Sequence, residues 1–184
     1  MFSSLFALVG VSHIGERRRQ RRKQSLSIYI KFITLKLGNL FMFLGEFKHN
    51  IDPKGRMAIP AKFRSKLDGG AIITRGLDHC LFVFTQKEWE GLAQKLISLP
   101  LAQSGSRAFV RLMLAGAGEV EFDAQGRILI PEHLRTYAHL GKNVIVTGLY
   151  NRIEVWNEDE WKLYKTKTER ESDQIAEQLG ELGI

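Results

Sequence analysis

A stretch of fourteen residues occurs twice in this chain, and that repetition limits its possible folds more than any other feature. The first copy reads Ile51-Asp52-Pro53-Lys54-Gly55-Arg56-Met57-Ala58-Ile59-Pro60-Ala61-Lys62-Phe63-Arg64. The second reads Phe122-Asp123-Ala124-Gln125-Gly126-Arg127-Ile128-Leu129-Ile130-Pro131-Glu132-His133-Leu134-Arg135. Asp, Gly, Arg, Pro and the final Arg recur at an offset of 71 residues. The echo continues downstream at offsets of 72 to 73, where Ala71–Thr74 matches Val144–Thr147, Gly76-Leu77 matches Gly148-Leu149, Val83-Phe84 matches Val155-Trp156, and Trp89 matches Trp161. One β-rich module is therefore built twice in tandem.

Each copy has a physical reading. Asp-x-x-Gly is a turn signature: the Asp side chain bonds back to the backbone, Pro53 presets φ, and Gly55 or Gly126 takes the conformation that other residues resist. Glu46–Ile51 and Arg56–Ile59 can then pair as a hairpin, with Met57 and Ile59 on one face and Arg56 and Ala58 on the other. Pro60 and Pro131 stop the ladder and suit the start of a short helix. Phe63 and Leu67 share one face of that helix, Lys62 and Lys66 another, and Gly69 and Gly141 read as helix stops. A second hairpin joins Ala71–Thr74 to Leu81–Phe84 around Asp78-His79, and Val144–Thr147 with Ile153–Trp156 around Tyr150-Asn151 repeats it. A longer helix is expected from Gln86, with Trp89, Leu92, Leu96 and Leu99 on one side. Residues 100–106 read as a linker. Helix is expected again from Arg107, with Phe109, Leu112 and Met113, and from Glu158 to a mainly polar end beyond Tyr164.

The expected class is α+β, mainly β. Residues 46–89 and 118–161 are the two modules, 90–117 a helical connector and 162–184 a C-terminal helix or tail. Units this small bury too little core alone. Packing the copies together also covers hairpin edges. The expectation is a single pseudo-twofold β-barrel with flanking helices.

The formal net charge of +7 suggests a nucleic-acid partner, but its location matters. Residues 1–41 hold eight of the 27 basic residues and one of the 20 acidic ones, which leaves 19 of each from Met42 onward. Any DNA contact by the repeated part must therefore rest on where its charges sit. Within residues 1–41 an apolar run precedes the Arg17–Lys23 block, the wrong order for a secretory signal. The segment reads as an extension ahead of a domain that begins at Met42, arising from a start codon placed too early; a basic DNA-contacting arm is the other reading. No apolar run is long enough to span a bilayer. Cys80 is the single cysteine, which rules out an internal disulfide and suits a reducing cytosol.

Met42-Phe43-Leu44-Gly45-Glu46-Phe47, followed by Ile51-Asp52-Pro53-Lys54-Gly55-Arg56 and the Phe122-Asp123-x-x-Gly126-Arg127 echo, resembles the MraZ family of bacterial proteins encoded at the head of the cell-division and cell-wall gene cluster. The resemblance runs from Met42 to about Leu179. It implies two fused swapped-hairpin modules of the AbrB/SpoVT type and assembly into a homo-oligomeric ring. It also implies binding to direct repeats in double-stranded promoter DNA of the protein's own gene cluster, usually as a repressor, and association with the nucleoid. It implies no catalytic activity and no cofactor.

The candidate DNA-binding residues are Lys54, Arg56, Lys62 and Arg64 in the first copy, with Lys48 nearby, and Arg127 and Arg135 in the second. Lysine suits phosphate, whereas the arginine fork fits the O6 and N7 of guanine. Lys54 becomes Gln125 and Lys62 becomes Glu132 in the second copy, so the first is expected to carry more of the affinity. Asp52, Gly55 and Pro60, with Asp123, Gly126 and Pro131, read as structural, since carboxylates repel phosphate. Arg56 and Arg127 have an alternative role in locking their turns to Asp, and Lys54 and Lys62 one as solvated surface charge.

An enzyme fits poorly. Asp52 and Asp123 lie in turns that explain them, no nucleophile with base and orienter is visible, and the histidines lack metal spacing. Gly116-x-Gly118 precedes a strand rather than a helix, so it is not a phosphate loop. No small-molecule substrate or metal site is expected. A non-catalytic assembly module without specific DNA binding is the competing class, favoured by the charge balance after Met42. A single-module antitoxin of the AbrB type is disfavoured by the two fused copies.

Overall fold

Near-continuous apolar runs, such as Leu81-Phe82-Val83-Phe84, give the central strands two buried faces. The computed structural model describes residues 42–67 and 69–180, and the expectations for residues 1–41 lie outside them. The described strands are β1 (Phe43–Asn50), β2 (Arg56–Ala58), β3 (Ala71–Arg75), β4 (Leu81–Thr85), β5 (Gly118–Val120), β6 (Arg127–Leu129), β7 (Asn143–Tyr150) and β8 (Arg152–Asn157). The described helices are α1 (Ala61–Arg64), α2 (Gln86–Ile97), α3 (Ser104–Leu114), α4 (Glu132–Tyr137), α5 (Glu158–Arg170) and α6 (Ser172–Gly180).

Six strands form one antiparallel sheet in the order β1-β7-β8-β4-β3-β5, and β2 and β6 form a separate two-stranded ribbon. Exchanging β1–β4 with β5–β8 reverses the order of the sheet and leaves every pairing unchanged. The expected closed barrel is not found among the described strands. The three-residue β5 forms one edge and is paired only with β3, while β1 forms the other edge, paired only with β7. The chain then leaves β5 for the Asp123 turn, so no ladder joins the two edges.

The first expected hairpin is also corrected. β1 and β2 meet only at the Ile51–Met57 bridge, because β1 pairs with β7 over eight residues and β2 pairs with β6. A partner in the other copy offers β1 a ladder more than twice as long as the three-residue β2 can supply. The β3–β4 hairpin forms as expected, turning through Leu77-Asp78-His79-Cys80 with a 3.1 Å bond from the Cys80 amide to the Leu77 carbonyl. Asp78 and His79 have φ of 53° and 59°, the signature of a type I′ turn whose twist matches that of its strands. Two boundaries move: α3 starts at Ser104 rather than Arg107, and the left-handed residues after α1 and α4 are Gly70 and His139 rather than Gly69 and Gly141.

The core has two parts, one on each side of the sheet. Leu81 and Val83 of β4 join Ile153 and Val155 of β8, together with Met57, Ile59, Phe63, Ile128, Ile130 and Leu134. Both copies thus fill one shared core. The alternate residues Phe82, Phe84 and Trp156 pack with Trp89, Leu92, Leu96, Met113 and Trp161 beneath α2, α3 and α5. Side-chain caps fix two helix starts: Thr85 Oγ1 accepts from the Glu88 amide, and Asn157 Oδ1 accepts from the Asp159 and Glu160 amides. No helix among the described residues is long and apolar enough to cross a membrane.

Candidate nucleic-acid interface

The two Asp-x-x-Gly-Arg turns are built alike. Asp52 Oδ1 accepts from the amides of Lys54 at 3.0 Å and Arg56 at 2.9 Å, and Asp123 Oδ1 accepts from those of Gln125 at 2.9 Å and Arg127 at 3.0 Å. Gly55 and Gly126 close the turns with φ of 81° and 73°, which strains any residue bearing a Cβ. Each Asp Oδ2 then takes its own arginine. Arg56 Nε and Nη2 lie 2.8 Å from Asp52, and Arg127 Nε and Nη2 lie 2.8 and 2.7 Å from Asp123.

These bonds hold both carboxyls ionised. The backbone amide of Arg56, with its guanidinium, lowers Asp52 below the usual carboxylate range. The Arg127 side chain and amide bring Asp123 down to about 2. Neither aspartate is free for acid–base work. The fixed negative charges instead orient two arginines at the surface.

The turns feed the β2–β6 ribbon, in which Arg56 faces Leu129, Met57 faces Ile128 and Ala58 faces Arg127. Met57 and Ile128 are wholly buried, so the other two pairs lie on the outward side. Two further twin bonds extend the ribbon, from the Ile59 amide to the Gly126 carbonyl and from the Ile130 amide to the Gly55 carbonyl. Two half-buried arginines and two apolar side chains, of which Leu129 is exposed, thus share one short, outward ribbon face.

The copies also interlock through their last arginines. Arg64 donates from Nε to the Ile59 carbonyl at 2.8 Å, and its guanidinium lies 2.7 Å from where a Cβ on Gly126 would stand. Arg135 donates to the Ile130 carbonyl at 3.1 Å and covers Gly55 in the same way, at 3.0 Å. Each turn glycine therefore also makes room for an arginine of the other copy. Sequence reasoning assigned Arg64 and Arg135 to a surface and missed this crossing, although their recurrence at the 71-residue offset was a signal for it.

The structure brings Arg56, Arg127 and Arg135 together along a cleft of about 700 Å³, lined also by Asn50, Asp52 and Lys142. Asn50 and Lys142 were not anticipated. Lys54 is exposed at the tip of the first turn. Lys62 lies elsewhere, its Nζ 4.7 Å from the centre of the Phe47 ring. Lys48 Nζ pairs with Glu158 at 3.0 Å. The symmetry of the turns is incomplete: Arg127 Nη1 also reaches Asp52 at 3.7 Å, whereas Arg56 Nη1 has no partner among the described residues. Pro60 and Pro131 stand at the caps of α1 and α4, just before the helices begin.

Other chemistry is sparse. Among the described residues no group of three or more His, Cys, Asp or Glu converges on a metal position. Burial pushes the Cys80 thiol up, away from thiolate reactivity.

Comparison with known proteins places this architecture. The family model described as "MraZ protein, putative antitoxin-like" matches twice, over residues 42–112 and 113–181. A protein of Halothermothrix orenii named Transcriptional regulator MraZ is 52% identical over 143 residues, which cover 78% of this chain and 100% of the relative. Proteins of the same name from Desulforamulus reducens and Carboxydothermus hydrogenoformans are 50% and 49% identical, over 77% and 75% of this chain and 99% and 96% of their own lengths. With two matches in tandem and about half of the residues shared with whole relatives, this chain belongs to the MraZ family.

Proposed function

We propose that this chain is a non-enzymatic transcriptional regulator that binds double-stranded DNA through the outward face of the β2–β6 ribbon and its two turns. The single observation that carries this reading is the pair of outward arginines, Arg56 and Arg127, each held by an aspartate in its own turn. A two-stranded ribbon is narrow enough for the major groove, and a guanidinium buttressed from behind is already ordered for a guanine edge. Arg56 and Arg127 read bases in this proposal, Lys54, Arg64 and Arg135 supply cations to phosphates beside the ribbon, and Lys62 supplies one from α1, away from it. The first copy contributes more, because Arg56 keeps Nη1 free of the second aspartate and Lys54 has no basic counterpart.

In the same proposal the modules are residues 46–89 and 118–161, joined by 90–117 and related by a pseudo-twofold axis; the exchange-invariant pairing supports this. Several chains assemble as a ring, so that contacts too few for one chain add up on direct repeats. The sites lie upstream of the protein's own cell-division and cell-wall gene cluster, the effect is repression, and the setting is the cytoplasm at the nucleoid.

The test is a titration of the full chain against duplex from upstream of its own gene cluster and against a shuffled duplex, at two salt concentrations. Salt-sensitive preference for the upstream duplex is expected, and Arg56→Ala should abolish it while the oligomer stays folded. The competing reading, an assembly module without specific DNA binding, rests on the equal count of acids and bases from Met42 onward. Equal binding of both duplexes by the folded native oligomer would put that reading first.

A further inference from the structure

We infer that Leu129 is a sequence-reading residue that covers the 5-methyl group of a thymine next to the base pair contacted by Arg56. This rests on the DNA-binding reading above and adds a base identity to it.

A lone exposed leucine carries no information, because soluble proteins expose many. Leu129 is distinguished by its setting. Its neighbours Ile128 and Ile130 are wholly buried, whereas Leu129 itself is 56% exposed. It sits on the outward ribbon face, directly across the ladder from Arg56 and two residues along from Arg127. Its counterpart in the first copy, 71 residues earlier, is Ala58. The face thus carries arginines at one pair of diagonal corners and apolar groups, one large and one small, at the other.

That arrangement matches a chemical pattern rather than a phosphate backbone. Phosphates ask for cations and donors, and a leucine between two arginines weakens such a surface. In the major groove the one apolar group on a base edge is the thymine methyl, whereas guanine presents two acceptors to arginine. Directly opposed side chains in a ladder stand about 5 Å apart at Cβ, and successive bases on a strand rise about 3.4 Å, so Arg56 and Leu129 can reach neighbouring base pairs. Ala58 is too short to act equally in the other half, so the two halves of the ribbon read different steps.

Deoxyuridine tests this directly, since it differs from thymidine only by that methyl. The upstream duplex is prepared with thymidine and with deoxyuridine throughout, and each is titrated with the full wild-type chain and with Leu129→Ala. The wild type should bind the uracil duplex more weakly, by about fourfold for each methyl it covers. Leu129→Ala should bind both duplexes alike and match the wild type on the uracil duplex. Leu129→Met, which restores apolar reach, should recover part of the difference. Circular dichroism of each variant checks that the fold is intact, as the exposure of Leu129 predicts.

Two results would overturn the inference while leaving the DNA-binding reading in place. One is a wild type that prefers the upstream over the shuffled duplex yet ignores the uracil exchange. The other is an undiminished uracil penalty in Leu129→Ala, which would assign the methyl effect to another residue or to DNA shape. Absence of any preference between upstream and shuffled duplex would overturn both.

Discussion

At the scale of single residues, the aspartates matter for what they hold in place. Asp52 and Asp123 each satisfy two amides and an arginine, and their folded-state pKa values lie below those of a free carboxylate. A depressed carboxyl stabilises the fold fully above its unfolded pKa and loses that contribution as pH falls through the folded value. The Asp123 turn should therefore keep its full contribution down to about pH 4 and lose it as pH falls towards about 2, with protection of the Arg127 amide in hydrogen exchange falling over that window. Asp123→Asn should remove this acid transition. Lys54 offers the contrasting case of an exposed side chain with no partner among the described residues. Lys54→Ala should leave thermal stability within about 0.5 kcal/mol and, under the proposed DNA-binding function, weaken binding to all duplexes alike, lowering the log–log salt slope by about one.

At the scale of elements, the ribbon and its turns form one interlocked unit. Gly126 has φ of 73° and faces Arg64 of the other copy at 2.7 Å, so an added methyl meets both backbone strain and a clash. Gly126→Ala should cost about 1–2 kcal/mol from the left-handed conformation alone, with the clash in addition. Adding Arg64→Ala should recover the clash and leave the strain, so a double-mutant cycle should show coupling between residues 62 positions apart. Additive costs would mean that Arg64 moves aside freely. The turns were legible in the sequence because Asp-x-x-Gly acts within four residues, as was the outward direction of Arg56 and Ala58, since alternation along a strand is local. The mate of β2 was not legible. Arg56–Ala58 is equally compatible with β1 or β6, and the choice depends on the long β1–β7 ladder, which draws β1 away.

At the scale of the molecule, the copies depend on one another. Met57, Ile59 and Phe63 of the first pack in one cluster with Ile128, Ile130 and Leu134 of the second. The folded region should unfold in a single transition by calorimetry, and a cavity made in either copy should lower the same Tm. Met57→Ala and Ile128→Ala should each cost about 2–5 kcal/mol. Across the sheet, Glu154 is buried with Oε1 on Arg152 and Oε2 on the Trp156 indole at 3.0 Å. Glu154→Ala leaves that guanidinium and indole unpaired and should destabilise by about 3 kcal/mol, read from chemical denaturation. Two separate transitions, one for each copy, would contradict the shared core.

Local chemistry on its own specified the duplicated module, its turns, its second hairpin and most of its helices. Those features depend on residues within a few positions of one another: a side chain bonding its own backbone, a proline at a helix cap, alternation along a strand. Motif matching across the repeat also pointed to the family. Long-range packing decided the rest. It paired β1 with β7 and β2 with β6, left the sheet open rather than closed into a barrel, and sent Arg64 and Arg135 onto the glycines of the opposite turns. It also placed Leu129 between two arginines on an outward face. None of this is encoded in a short window, because a three-residue strand carries too little pattern to name its partner. The choice falls to whichever pairing buries the most apolar surface in both copies at once.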